Sequence, residues 1–170
     1  MKPFWPLNLL LFQCAWFSAA FYPTQAPWIM VLLLALHFYF SPTPKADAKL
    51  TLLVPIGICV DKLMMHFEVF SGGQGIFPLF LLLLWCFFIL SLNHSLLWVT
   101  RVSVPIQMLL GSIGGASSYW AGIQAGALET SLETPWLLAI LMCVWALLLP
   151  WLIYCHQLLV TRAFSNHASH

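Results

Sequence analysis

The ionisable residues with the greatest chemical potential lie inside an apolar stretch. Gly57, Asp61, Met64 or Met65, and Glu68 follow a spacing of four, four and three, so a helix carries them on one stripe. Lys62 and His66, four apart, share the neighbouring stripe. Charge within a membrane helix is costly and marks proton-handling or ligand-binding sites, which makes Asp61, Lys62 and His66 candidates for such a site. The alternative is structural: Asp61 bonds to neighbouring helices while Lys62 snorkels and Glu68 reaches the outer interface. Counted from Lys49, Asp61 falls near the bilayer midplane, with His66 and Glu68 nearer the outer surface.

A second polar group, Ser91, Asn93, His94 and Ser95, ends a later apolar stretch. Asn93 and His94 can bridge helices by hydrogen bonds, or contact a polar head group or activate a substrate. Tyr119 offers a further polar handle, as do Trp120 and Gln124. His37 and His156 fall at a depth similar to His94. Haem ligation through His37, His94 or His156 is not expected, because no short-spaced second histidine supports it. No metal site is expected either: Cys14, Cys59, Cys86, Cys143 and Cys155 show no CxxC spacing and read as small hydrophobes. Gly115-Ala116-Ser117-Ser118 faintly resembles the serine motif of rhomboid proteases, but nothing in the sequence places a base beside a nucleophile. A paired-aspartate peptidase fails because Asp61 is the only aspartate inside a span.

These residues need a membrane-embedded scaffold. The chain has 170 residues, 62% hydrophobic and 6% charged, with mean hydropathy +0.93; soluble domains carry about 25% charged residues. A net charge of +1 provides no basic patch, so nucleic acid is not an expected partner. Proline and glycine punctuation divides the chain into helices over about 5–22, 27–40, 49–70, 76–99, 102–128 and 135–160, followed by a polar tail, 161–170. Pro150 is expected to kink the last helix, and residues 71–75 form a turn. A weak signal-peptide resemblance around Ser18-Ala19-Ala20 is set aside, since Trp5, Pro6, Asn8 and Gln13 make a poor apolar region. The predicted fold is all-α: a single polytopic transmembrane bundle of six helices, or four if the first two do not fully span. Lys2, Lys45, Lys49, Arg101 and Arg162 then share one side, while Glu129 and Glu133 lie on the other. Cationic loops stay inside, so both termini are expected in the cytoplasm and the location is a bacterial inner membrane. Gly111, Gly115, Ser118, Gly122 and Gly126, with Gly114, form a small-residue face on the fifth helix. It suits close helix packing, a homodimer contact, or a groove for a flat or elongated apolar ligand.

Several blocks together resemble a family of small proteobacterial inner-membrane proteins, domain of unknown function 2878. They are Gly57-Ile58-Cys59-Val60-Asp61, Leu92-Asn93-His94-Ser95-Leu96-Leu97-Trp98, the stretch from Gly111 to Gly126 containing Ser118-Tyr119-Trp120-Ala121-Gly122, and Trp145-Ala146-Leu147-Leu148-Leu149-Pro150. The resemblance covers nearly the whole chain. A small polar residue follows the aspartate in the family pattern, so Lys62 departs from it. The resemblance implies genes encoded beside cyclopropane-fatty-acid-synthase-like and oxidoreductase genes, and with them a place in membrane-lipid modification or envelope stress. The expected function is binding of a lipid-like ligand or a partner membrane enzyme. Two alternatives stay open: a lipid-modifying enzyme using Asp61, Asn93, His94 and Tyr119, and a small proton-coupled carrier using Asp61.

Overall fold

The computed structural model describes residues 3–72 and 77–165, the last five by backbone alone. Lys2, the central residues of the expected 71–75 turn, the expected helix start at Ile76, the Arg162 side chain and the tail from 166 lie outside the described residues. Within them the fold is all-α, with no strand. Its elements are α1 (Trp5–Phe21), α2 (Ala26–Phe40), α3 (Pro44–Leu50), a 3-10 turn (Thr51–Leu53), α4 (Val54–His66), α5 (Leu79–Asn93), a second 3-10 turn (Leu97–Arg101), α6 (Val104–Gln124) and α7 (Thr134–Ser165).

Proline sets most of the starts. Among the described residues six helices, α1, α2, α3, α4, α6 and α7, carry it in their first two positions, where the missing N–H has no helical partner to lose. Pro55 explains the main departure from the expected 49–70 helix. It has no N–H to donate to the turn before it, although Val54 keeps helical geometry at φ −54° and ψ −41°. The segment therefore divides into α3, a 3-10 turn and α4. The expected 76–99 helix also stops early, at Asn93. There the Ser95 backbone N–H donates to the Asn8 side chain at 3.1 Å instead of continuing the helical ladder. Pro150 lies inside α7, which continues through it.

Two helix ends share one geometry. At the end of α6, Gly126 has φ +82° and Ala127 N–H donates back to Gly122 O at 3.0 Å. At the end of α4, Glu68 has φ +57° and Val69 N–H donates to Met64 O at 2.9 Å. Both are left-handed terminators, a position that favours glycine. Gly126 thus ends its helix rather than packing it. An antiparallel bridge between Ser71 and Glu129 joins the two loops, with both hydrogen bonds at 2.8 Å.

The apolar helix α5 is the centre of the bundle. Phe80, Trp85, Phe87, Ile89 and Leu92 are buried on several of its faces, as expected of a helix enclosed by others. It packs against α1, α2 and α4, while α6 and α7 form the most extensive helix pair. Large apolar side chains remain outside, among them Trp28, Tyr39, Phe67, Trp136 and Leu147. Among the described residues one helix, Thr134–Val160, is long and apolar enough to cross a bilayer; Ala26–Phe40 and Leu79–Asn93 are shorter apolar helices. A bilayer core of about 30 Å needs about 20 helical residues.

Candidate functional site

The polar residues separate into two buried clusters and an apolar groove. The first cluster centres on Asp61, which is fully buried in α4. Trp85 Nε1–H of α5 donates to its Oδ2 at 2.7 Å, and the Tyr119 hydroxyl of α6 donates to its Oδ1 at 2.6 Å. Glycine makes this arrangement possible. A Cβ at Gly57, one turn before Asp61, would overlap the Trp85 indole. Trp85 in turn stacks on Trp145 of α7, with centroids 5.5 Å apart and planes at 9°. Trp145 occupies the space a Cβ would take at Gly115, and its carbonyl crowds Gly111. The two glycines on α6 therefore admit the helix carrying Trp145, as the small-residue face predicts.

The rest of that face behaves differently. Ser118 accepts a hydrogen bond from Trp16 Nε1–H of α1 at 2.8 Å. A Cβ at Gly114 or Gly122 would meet nothing within 4 Å, so neither permits a close approach. For Gly122 and Gly126 the packing expectation is corrected: one borders a cavity and the other ends the helix.

The second cluster surrounds Asp47 of α3, fully buried at one end of the bundle. His37 Nε2 lies 3.1 Å from Oδ2, and the Ser41 hydroxyl donates to the same oxygen at 2.5 Å. Asn93 Nδ2–H donates to Oδ1 at 2.7 Å. His94 Nε2 stands 2.9 and 3.0 Å from the two oxygens. Asn8, also fully buried, accepts from Ser95 N–H at 3.1 Å and Ser95 Oγ–H at 2.5 Å. Its Nδ2 faces His37 Nδ1 at 3.5 Å. The Phe4 ring stands edge-on to both imidazoles. Burial alone would raise the Asp47 carboxyl, but the hydrogen bonds from His37, His94, Ser41 and Asn93 outweigh it and hold it well below the ordinary carboxylate range. The donor atoms of His37, Asp47 and His94 all lie within 4.8 Å of one another, and two imidazoles with one carboxylate suit zinc or ferrous iron.

The six sequence-derived candidates are thus distributed over different places. Asp61 and Tyr119 meet, as do Asn93 and His94, but the two pairs belong to separate clusters. Lys62 and His66 are exposed, and Lys62 makes no ion pair among the described residues. Asp47, Asn8, Ser41 and Trp85 carry site contacts that sequence reasoning did not single out. Asn8 left a trace: with Leu11, Ala15 and Ser18 it shares the buried stripe of α1. Asp47 left little, because Pro44 and two lysines make its surroundings read as a loop. His156 is buried on α7, apart from this cluster, and neither ring nitrogen has a partner among the described residues.

Between α1 and α6 runs a half-open cavity of about 620 Å³, lined by Phe12, Trp16, Gly114, Gly115, Trp120 and Trp145 among others. A smaller one of about 80 Å³ continues it past Ala20, Phe80 and Tyr119. The Trp16–Ser118 bond crosses between them, and both residues line both cavities. Trp145 borders both as well, and its buried Nε1–H has no acceptor among the described residues.

A family model described as Protein of unknown function (DUF2878) matches residues 5–151. Neither the curated proteins nor the solved structures contain a match to the chain.

Proposed function

This chain belongs to the family described as Protein of unknown function (DUF2878), and we propose that it is a multi-pass membrane protein whose α1/α6 groove binds a lipid-like molecule. The observation that carries this reading is the half-open apolar cavity of about 620 Å³, within the size range of small-molecule sites, about 300–1,000 Å³. Its wall is the part of the glycine face that no helix covers, at Gly114. An elongated acyl chain fits a groove continued by a second apolar cavity.

Charge distribution supports a membrane orientation. Lys45, Lys49 and Arg101 follow the ends of α2 and α5, whereas Glu129 and Glu133 lie in the loop between α6 and α7. Under the positive-inside rule the Asp47 end faces the cytoplasm of a bacterial inner membrane. The enzyme alternative in its four-residue form loses ground, because Asp61 with Tyr119 and Asn93 with His94 form separate hydrogen-bonded sets. A single reacting atom has one set beside it, not both.

Native mass spectrometry of protein gently extracted from its own membrane tests the reading. A discrete stoichiometric adduct is expected, and Gly114→Leu, which fills the groove, should remove it without lowering stability. A bare mass, or heterogeneous lipid indifferent to Gly114→Leu, would refute ligand binding at this groove.

A further inference from the structure

We propose that His37, Asp47 and His94 form a binding site for one divalent first-row transition-metal ion of the zinc or ferrous-iron class. Imidazole nitrogens are borderline donors that favour such ions over magnesium or calcium, and a single carboxylate oxygen is compatible with them. Donors bound to one ion at about 2.0–2.2 Å stand at most about 4.4 Å apart. Here they all lie within 4.8 Å of one another, with Asp47 about 3 Å from each imidazole. Tetrahedral donors stand about 3.4 Å apart, so Asp47 is already near that spacing from each imidazole, and the widest pair has to close by up to about 1.4 Å. Of the three side chains only His94 keeps any exposure, 7%. Because the ligands come from α2, α3 and the end of α5, the set exists only in the folded chain, and metal binding would stabilise that fold.

The surrounding groups decide how tightly the site holds an ion. Asn8 Oδ1 is committed to Ser95, so Asn8 presents its amide N–H to His37 Nδ1. That contact makes Nδ1 an acceptor and leaves the imidazole proton on Nε2, directed at Asp47. A metal needs the opposite tautomer: a free Nε2 lone pair, with Nδ1–H donating to an outer partner. At 3.5 Å the Asn8 contact is at the long limit for a hydrogen bond. It opposes the metal-ready tautomer only weakly. A carboxylate at position 8 would accept from both Ser95 and His37 Nδ1–H, and so would favour the metal-ready tautomer.

The experiment is a titration of the full-length protein in detergent with Co2+ as the spectroscopic probe, followed by Zn2+ displacement. One equivalent of Co2+ should bind with visible d–d bands and be displaced by Zn2+, and Zn2+ should raise the melting temperature. His37→Ala and His94→Ala should each weaken binding at least about tenfold, and Asn8→Asp should tighten it by about tenfold, in the range measured for outer-shell partners. The gain expected from Asn8→Asp keeps the test decisive if the ligand variants misfold. Failure of both the native chain and Asn8→Asp to take up stoichiometric Co2+ would overturn the proposal. So would Co2+ binding that persists unchanged when His37 and His94 are both replaced, because the ion would then sit elsewhere.

Discussion

Replacing Gly57 with alanine should destabilise the protein, although alanine is the better helix former. In an exposed helix the change gains about 0.8–1 kcal/mol. At Gly57 the new methyl overlaps the six-membered ring of Trp85. The indole has little freedom to retreat: its N–H donates to Asp61 at 2.7 Å, and its far face stacks on Trp145, which itself fills the space at Gly115. Overpacking of this kind costs about 1–3 kcal/mol. Displacing Trp85 also removes one of the two donors on buried Asp61, a further cost of about 1–3 kcal/mol. Subtracting the helix gain leaves a net loss of about 1–5 kcal/mol. Gly122→Ala is the matched control, since its methyl meets nothing within 4 Å; it should be neutral or up to about 1 kcal/mol stabilising. Equilibrium unfolding in mixed detergent micelles, followed by tryptophan fluorescence, measures both. Trp85→Phe should partly rescue Gly57→Ala, a coupling that a double-mutant cycle detects. If Gly57→Ala matches Gly122→Ala in sign, the glycine is not there to admit Trp85, and the reasoning fails.

Asp61→Leu strands the Trp85 and Tyr119 donors in the core, so it should cost about 2–6 kcal/mol, from about 1–3 for each donor. Tyr119→Phe removes one bond and should cost clearly less in the same unfolding assay; equal losses would contradict the bonding scheme. Glu68→Gly should stabilise by about 1 kcal/mol, because Glu68 occupies a left-handed backbone position. Gly126→Ala should destabilise by a similar amount, since its φ of +82° strains any side chain. Thermal melts of these two variants should move in opposite directions, and a shift of both in one direction would refute the shared terminator geometry.

Much of the fold is legible in the residues themselves. Apolar runs separated by proline and glycine define the helices, and Gly111 and Gly115 announce a close helix contact whose partner turns out to be Trp145. Asp61 is conspicuous because a carboxylate inside an apolar run has few innocuous explanations. Pro55 also carried local information, since a proline at that point favours a helix start over continuation, yet the apolar run around it suggested one long span.

What depends on the tertiary structure is which residues meet. Helical periodicity relates positions a few residues apart, whereas Asp47 meets Asn93 and His94, and Asn8 meets Ser95, through the packing of α1, α3 and α5. Nothing local in the sequence distinguishes Asp47 from a solvated loop aspartate beside lysines; only burial, with four side-chain partners, does so. The same packing assigns Tyr119 to Asp61 and His94 to Asp47, although spacing and depth allowed all of them one site. The sequence by itself determined helix type, the apolar character and the presence of unusual polar groups, because those follow from composition and short-range period. Three-dimensional packing alone decided the partnerships, because hydrogen bonds and ligand sets depend on distances that separation along the chain does not encode.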